Sequence, residues 1–164
     1  RHTGVYHLSA GLSIKKVLEK TENLPPFDFF TQVGGDASGE VLNQNQLNKK
    51  VSGAGTITVY KANKYEPKKL LAGWLDFFLG ESCGKCTPCR EGIYRLKEIL
   101  NSSKPDWPLF LEVLDTLSET SFCGLGCAAA VPLRSYLRNV LGEGYYQKKG
   151  ISSKEVEQIC YCFK

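Results

Sequence analysis

Three cysteines recur at every third position in Glu81-Ser82-Cys83-Gly84-Lys85-Cys86-Thr87-Pro88-Cys89-Arg90-Glu91-Gly92, and Ser121-Phe122-Cys123-Gly124-Leu125-Gly126 carries another downstream. This constrains the fold more than any other feature of the chain. A short bend bearing three thiols must face a second bend bearing the fourth. The spacing is that of an iron–sulfur site, in which one loop wraps three corners of a 4Fe-4S cube and a remote cysteine closes the last. Chemistry at such a site is single-electron transfer rather than hydrolysis.

Thiolates are the ligands that iron–sulfur corners require, and two-residue gaps let successive sulfurs turn inward. Gly84 allows a close backbone approach and Pro88 stiffens the bend. A helix starting near Arg90 would aim its N-terminus at the cluster, and with the charges of Lys85 and Arg90 would favour the reduced, more negative state. Backbone N–H groups directed at sulfur would tune the potential further. Zinc sites instead pair one C-x-x-C with a second, distant pair. Disulfides are disfavoured because the chain has seven cysteines, an odd number, and shows no secretion signal. Spacing alone leaves the fourth ligand open between Cys123 and Cys127, four residues apart. Cys127, Cys160 and Cys162 read more simply as ordinary thiols than as a second metal site.

The remaining pattern falls into two parts. In the first, Val5-Tyr6-His7-Leu8 predicts a short strand, and Ser13 predicts the cap of a helix presenting Ile14, Val17 and Leu18. Phe27 to Val33 and Thr56 to Tyr60 predict strands, separated by glycine-rich turns. A β-α-β-β order implies a small α+β module over residues 1–64. Over residues 65–146 the apolar period becomes helical. Leu70, Leu71, Trp74, Leu75 and Phe78 form one stripe; Ile93, Leu96, Ile99 and Leu100 a second; Phe110, Val113, Leu114 and Leu117 a third. Leu133, Tyr136, Leu137, Val140 and Leu141 form a fourth, with Pro132 in the first turn of its helix. The expected architecture is α+β: the small module, then a four-helix bundle holding the cluster at one end. In the tail, 147–164, Ser152 and Glu155 form a capping box ahead of one short helix.

Several function classes drop out. The net charge is only +4, and the pairs Lys15-Lys16, Lys49-Lys50, Lys68-Lys69 and Lys148-Lys149 are dispersed, so no nucleic-acid surface is indicated. No apolar run approaches the roughly 20 residues of a membrane span; the longest is broken by Gly73 and Asp76. Gly34-Gly35-Asp36-Ala37-Ser38-Gly39 lacks the order of a phosphate-binding loop and reads as a sharp turn. His2 and His7 read as structural, and no nucleophilic or paired-carboxylate arrangement stands out. Arg1 stands where an initiator methionine is usual, so the sequence reads as processed, cut, or part of something longer.

The motif Glu81-Ser82-Cys83-Gly84-x-Cys86-x-Pro88-Cys89-Arg90-x-Gly92 with Cys123-x-Leu125-Gly126 resembles the C-terminal part of the NADH-binding flavoprotein subunit of respiratory complex I, and the related subunits of NAD(P)-linked hydrogenases and formate dehydrogenases. The resemblance implies that Cys83, Cys86, Cys89 and Cys123 ligate a 4Fe-4S cluster fed by FMN; Lys85, Thr87 and Arg90, set between and beside these cysteines, would form its immediate surroundings. Gly4-Val5-Tyr6, Gly11-x-Ser13, Gly34-Gly35 with Ser38-Gly39, and Gly53-x-Gly55 resemble the SLBB domain of that subunit, a β-grasp fold. Together the two resemblances span roughly residues 3 to 146.

The implied role is an electron-transfer component of an NAD(P)H-linked oxidoreductase complex. Its partners would be an FMN- and NAD(P)H-binding subunit and other iron–sulfur subunits. The implied setting is cytoplasmic, or matrix-facing and peripheral to a membrane complex. The family's long FMN- and NAD(H)-binding domain, marked by a glycine-rich stretch, has no match here. Cys127 and Cys160-x-Cys162 also fall outside the family pattern. By itself, then, this sequence would not oxidise NADH by the family's mechanism. The alternative expectation is a scaffold or interaction module whose metal is purely structural.

Overall fold

A computed structural model of the chain describes residues 2–142. Helix α1 spans Ile14–Lys20, and the Ser13 hydroxyl accepts from the Lys16 amide, as the cap predicts. Strands β1 (Phe29–Val33), β2 (Glu40–Asn43) and β3 (Ile57–Lys61) follow. They form one antiparallel sheet in the order β2-β1-β3, with Thr31 opposite both Leu42 and Val59.

The predicted strand at Val5–Leu8 is absent; the segment is irregular and exposed, and Val5 is 92% exposed. Strand-forming residues make a strand only where another strand completes the ladder, and among the described residues this segment has no such partner. The order among described residues is therefore α-β-β-β rather than β-α-β-β. Strand β2 goes beyond the sequence expectation: with Glu40 and Asn43 at its ends, it offers only Val41 and Leu42 as apolar signal.

The whole of β1 is buried because both faces of the sheet are covered. Phe29 and Val33 pack with Ile14, Leu18 and Leu42 beneath α1. Phe30 joins the helical core on the other face, together with Val41 of β2. Gln32 also points that way. Its Oε1 accepts from the Tyr60 hydroxyl at 3.0 Å and from Trp74 Nε1 at 3.3 Å, and its amide donates to the Gly35 carbonyl.

Helices α2 (Pro67–Glu81), α3 (Thr87–Asn101) and α4 (Trp107–Thr120) bury the predicted stripes, with Leu70 and Val113 partly covered. The fourth stripe lies on α6 (Ala130–Tyr136), which runs into a π-helical turn over Leu137–Leu141, and the five-residue α5 (Gly124–Ala128) precedes it. Side chains of this last segment close the outer edge of β2. The Val41 amide donates to Ser135 Oγ at 2.8 Å, and Asn139 Nδ2 donates to the Val41 carbonyl at 2.7 Å. A bare strand edge is thereby satisfied, and the sheet is fixed against the helices that carry the cysteines. The capping box of the tail lies outside the described residues, as do Cys160 and Cys162.

Candidate metal centre

The cysteine bend begins where α2 stops. Ser82 takes extended backbone, Cys83 is exposed, and Gly84 has φ +70°, a conformation that a side chain there would strain. Helix α3 starts at Thr87 rather than near Arg90, with Cys86 as its N-cap and Pro88 in its first turn. Proline tolerates that position because an N–H there has no helical partner to lose. Cys86 and Cys89 are buried, at 6% and 4% exposure. Across from them, α4 ends at Ser121, and Cys123 is the N-cap of α5. Two of the four thiols thus sit at helix N-caps, and Cys89 lies in the first turn of the 15-residue α3.

The two bends lie against each other: a Cβ added to Gly126, three residues past Cys123, would be 3.2 Å from Cys89 Cβ. Burial pushes the Cys89 thiol above its ordinary value; Ser82 opposes this, and negative charge on Cys86, Cys123 and Cys83 adds to it. One sulfur therefore senses the other three. Cys86 moves the opposite way. The Phe122 amide lowers it most and the Cys89 amide next, against burial, with Arg90 giving a smaller pull. The strongest influence on a first-bend sulfur is thus an N–H from the second bend. Ser82 Oγ lies 3.4 Å from Cys89 Sγ and accepts from the Gly84 amide at 3.3 Å.

Of the three surrounding residues expected from sequence, Lys85 and Thr87 are exposed. Arg90 does more: its guanidinium donates to the Gly84 carbonyl at 2.8 Å, tying the bend back onto α3, while its Nε pairs with Glu91 at 2.7 Å. Cys127 turns its sulfur to the Ser121 carbonyl, 3.5 Å away, and does not figure among the charges felt by Cys89. Among the described residues, no three Cys, His, Asp or Glu side chains crowd a point where a single ion would sit.

The residues fit an iron–sulfur cluster on two grounds. The turn that follows Cys123 packs on Cys89, and a buried hydroxyl beside it, Ser121 Oγ, has no partner. That hydroxyl and Cys89 Cβ both border Gly126, where an added Cβ would lie 2.6 Å from Ser121 Cβ and 3.2 Å from Cys89 Cβ. An unpartnered donor at the edge of a sulfur site is suited to a sulfide acceptor. Ser82, Ser121, the Phe122 amide and Gly126 did not emerge from sequence as site residues. The serines stood inside the quoted motif, but no spacing rule marks which hydroxyl or amide will face a sulfur.

Comparison with known proteins agrees with this chemistry. Residues 69–143 match the family model of the NADH-ubiquinone oxidoreductase-F iron-sulfur binding region. This segment is an iron–sulfur binding region, and a 4Fe-4S cluster is its cofactor. More particularly, it is similar to the iron–sulfur region of the F-type subunits of these oxidoreductases. The F-type subunit of NADH-quinone oxidoreductase from Streptomyces coelicolor is 29% identical over 154 residues, covering 82% of this chain and 34% of the relative. The HndC subunit of the NADP-reducing hydrogenase from Solidesulfovibrio fructosivorans is 26% identical over 162 residues, covering 87% and 33%. The chain thus spans about a third of the length of these relatives. Its fold is shared with part of an NAD+-reducing [NiFe]-hydrogenase in the H2-reduced state, with a TM-score of 0.68 at 21% identity, covering 86% of this chain and 25% of that one.

Proposed function

We propose that Cys83, Cys86, Cys89 and Cys123 hold the 4Fe-4S cluster, and that the chain relays single electrons between a flavin on a partner subunit and other clusters of an NAD(P)H-linked complex. The observation that carries this reading is the packing of the turn after Cys123 on Cys89: a Cβ added to Gly126 would lie 3.2 Å from Cys89 Cβ. When bound, such a cluster accepts and returns one electron. The protein's part is to hold the charge and limit access of water. Burial of Cys86 and Cys89 dries one side of the site. The Phe122 and Cys89 amides and the N-terminus of α3 supply positive ends of dipoles, and Arg90 a full charge, so the reduced state is favoured. Lys85 and Thr87 lie on the exposed rim. Cys83, Cys123 and the 87%-exposed Phe122 form the side that a redox partner would meet.

The same reading divides the chain into an SLBB-like β-grasp module (1–64), an iron–sulfur four-helix bundle (65–146) and a tail (147–164). In support, α1 packs on one face of an antiparallel sheet, while α2, α3, α4 and α6 share a second core. Electron relay requires no substrate pocket. A cytoplasmic setting, or a matrix-facing one on a membrane complex, is consistent with the absence among described residues of any helix able to cross a bilayer.

The test is anaerobic reconstitution followed by electron paramagnetic resonance. A dithionite-reduced signal that disappears on adding an oxidised flavin supports the relay. A cluster that cannot be reduced would make the metal a structural staple. A colourless, zinc-loaded chain after reconstitution would end the reading altogether.

A further inference from the structure

Ser82, the C-cap of α2, opens the cysteine bend, and its hydroxyl is engaged on two sides. Its Oγ accepts from the Gly84 amide at 3.3 Å and lies 3.4 Å from Cys89 Sγ. A hydroxyl has one proton to give and two lone pairs to receive with. An oxygen that receives the Gly84 N–H keeps its own proton to donate, and the Cys89 sulfur lies within reach of it. A cysteine that ligates iron is a thiolate and has no proton, so the hydroxyl must be the donor of that contact. Gly84 is itself fixed on both sides. Its φ of +70° goes with an N–H that reaches Ser82, and the Arg90 guanidinium donates to its carbonyl at 2.8 Å. The Gly84 N–H polarises the hydroxyl it donates to, which makes that hydroxyl a better donor in turn.

We propose that the Ser82 hydroxyl, held by the Gly84 amide, donates to the sulfur of Cys89 and so raises the potential at which the cluster takes its electron. The clause about the potential rests on the ligand set proposed above; the placement of the hydroxyl does not. In the step concerned, one electron passes from the reduced flavin of the partner to the oxidised cluster, and the Ser82 proton stays on its oxygen. Reduction adds negative charge to the cluster and its sulfurs, and a donor already aimed at one of them favours the reduced state. Burial makes this hydroxyl count. Cys83 and Cys123 are exposed and can draw donors from water, whereas Cys89 is only 4% exposed and depends on what the chain supplies.

The experiment compares Ser82→Ala, which removes the donor, with Ser82→Thr, which keeps it. Ser82 has extended backbone, which a β-branched side chain accepts. Ser82→Val, matched in shape to threonine, replaces the alanine variant if that one does not fold or load. Gly84 amide exchange, measured before cluster loading, reads the first contact. It should be about three- to tenfold faster in the donor-free variant and close to wild type with threonine. Unchanged exchange overturns the proposal whether or not a cluster binds. Potentiometric titration of the reconstituted chains, with dithionite as reductant and read by paramagnetic resonance, reads the second. The midpoint should fall in the donor-free variant, changing the ratio of reduced to oxidised cluster at a fixed potential by about three- to tenfold, and return with threonine. An unchanged midpoint in a fully loaded donor-free variant, or an equal fall with threonine, overturns the proposal and leaves the ligand set standing. Loss of iron from both donor-free variants also overturns it, because the hydroxyl would then be needed to bind the cluster rather than to set its potential. A full cluster in Cys89→Ser would overturn the ligand set itself, and the proposal with it.

Discussion

Gly126 offers a sharp test because its neighbours are known on every side. It is buried in α5. A methyl group there would fall against Ser121 Oγ, 2.6 Å from Ser121 Cβ and 3.2 Å from Cys89 Cβ. None of these atoms can yield cheaply: Ser121 closes α4, and Cys89 is fixed in the first turn of α3. Overpacking of this sort costs about 1–3 kcal/mol. Gly124, two residues earlier in the same helix, has nothing within 4 Å of an added Cβ. There, replacing glycine with alanine should be neutral or stabilising by up to about 1 kcal/mol. Gly126→Ala should therefore be less stable than Gly124→Ala by about 1–3 kcal/mol in urea unfolding followed by circular dichroism. It should also lose iron, because pushing Ser121 and Cys89 apart separates the two bends. Equal midpoints and equal iron content for the two variants would refute the packing of α5 against the cysteine bend.

Other consequences follow from single side chains. Gln32→Leu should destabilise the fold by about 1–3 kcal/mol, because the buried Trp74 N–H loses its acceptor, with a smaller contribution from the half-buried Tyr60 hydroxyl; urea midpoints report it. Leu114→Ala, at a position with 0% exposure on α4, should cost about 2–5 kcal/mol on the same assay. Ser82→Ala removes the group that holds the Cys89 thiol down against burial, so that thiol should rise further and carry less thiolate at a given pH. Anaerobic cluster assembly, followed by visible absorbance, should then slow near neutrality and recover as pH rises through the thiol range; an unshifted pH profile would contradict this.

The helical half of the molecule is readable in the sequence because each stripe repeats on one face and every helix has something to pack on. Ile93, Leu96, Ile99 and Leu100 are all buried as the period implies. Strands are harder, since pairing is not local. Val5–Leu8 has strand-forming residues but no ladder, whereas Glu40–Asn43, with two polar ends, gains its ladder from β1 and its edge partners from Ser135 and Asn139. The start of α3 lies a few residues ahead of the expected one because a cysteine N-cap gives no capping signal, unlike Ser13 at α1. Spacing marks the three cysteines of the first bend, and the resemblance adds Cys123 as the proposed fourth. What spacing does not reveal is the orientation of neutral groups: which amide acts on Cys86, and where Cys127 turns its thiol. Those depend on how α4 and α5 meet, which is a tertiary fact.

Four sulfurs from two bends holding one cluster is the claim on which the rest depends. Iron and acid-labile sulfide, counted per chain after anaerobic reconstitution of wild type, Cys123→Ser and Cys127→Ser, test it most directly. About four of each are expected for wild type and for Cys127→Ser, with substantial loss for Cys123→Ser. Full retention in Cys123→Ser, or loss in Cys127→Ser alone, would contradict it.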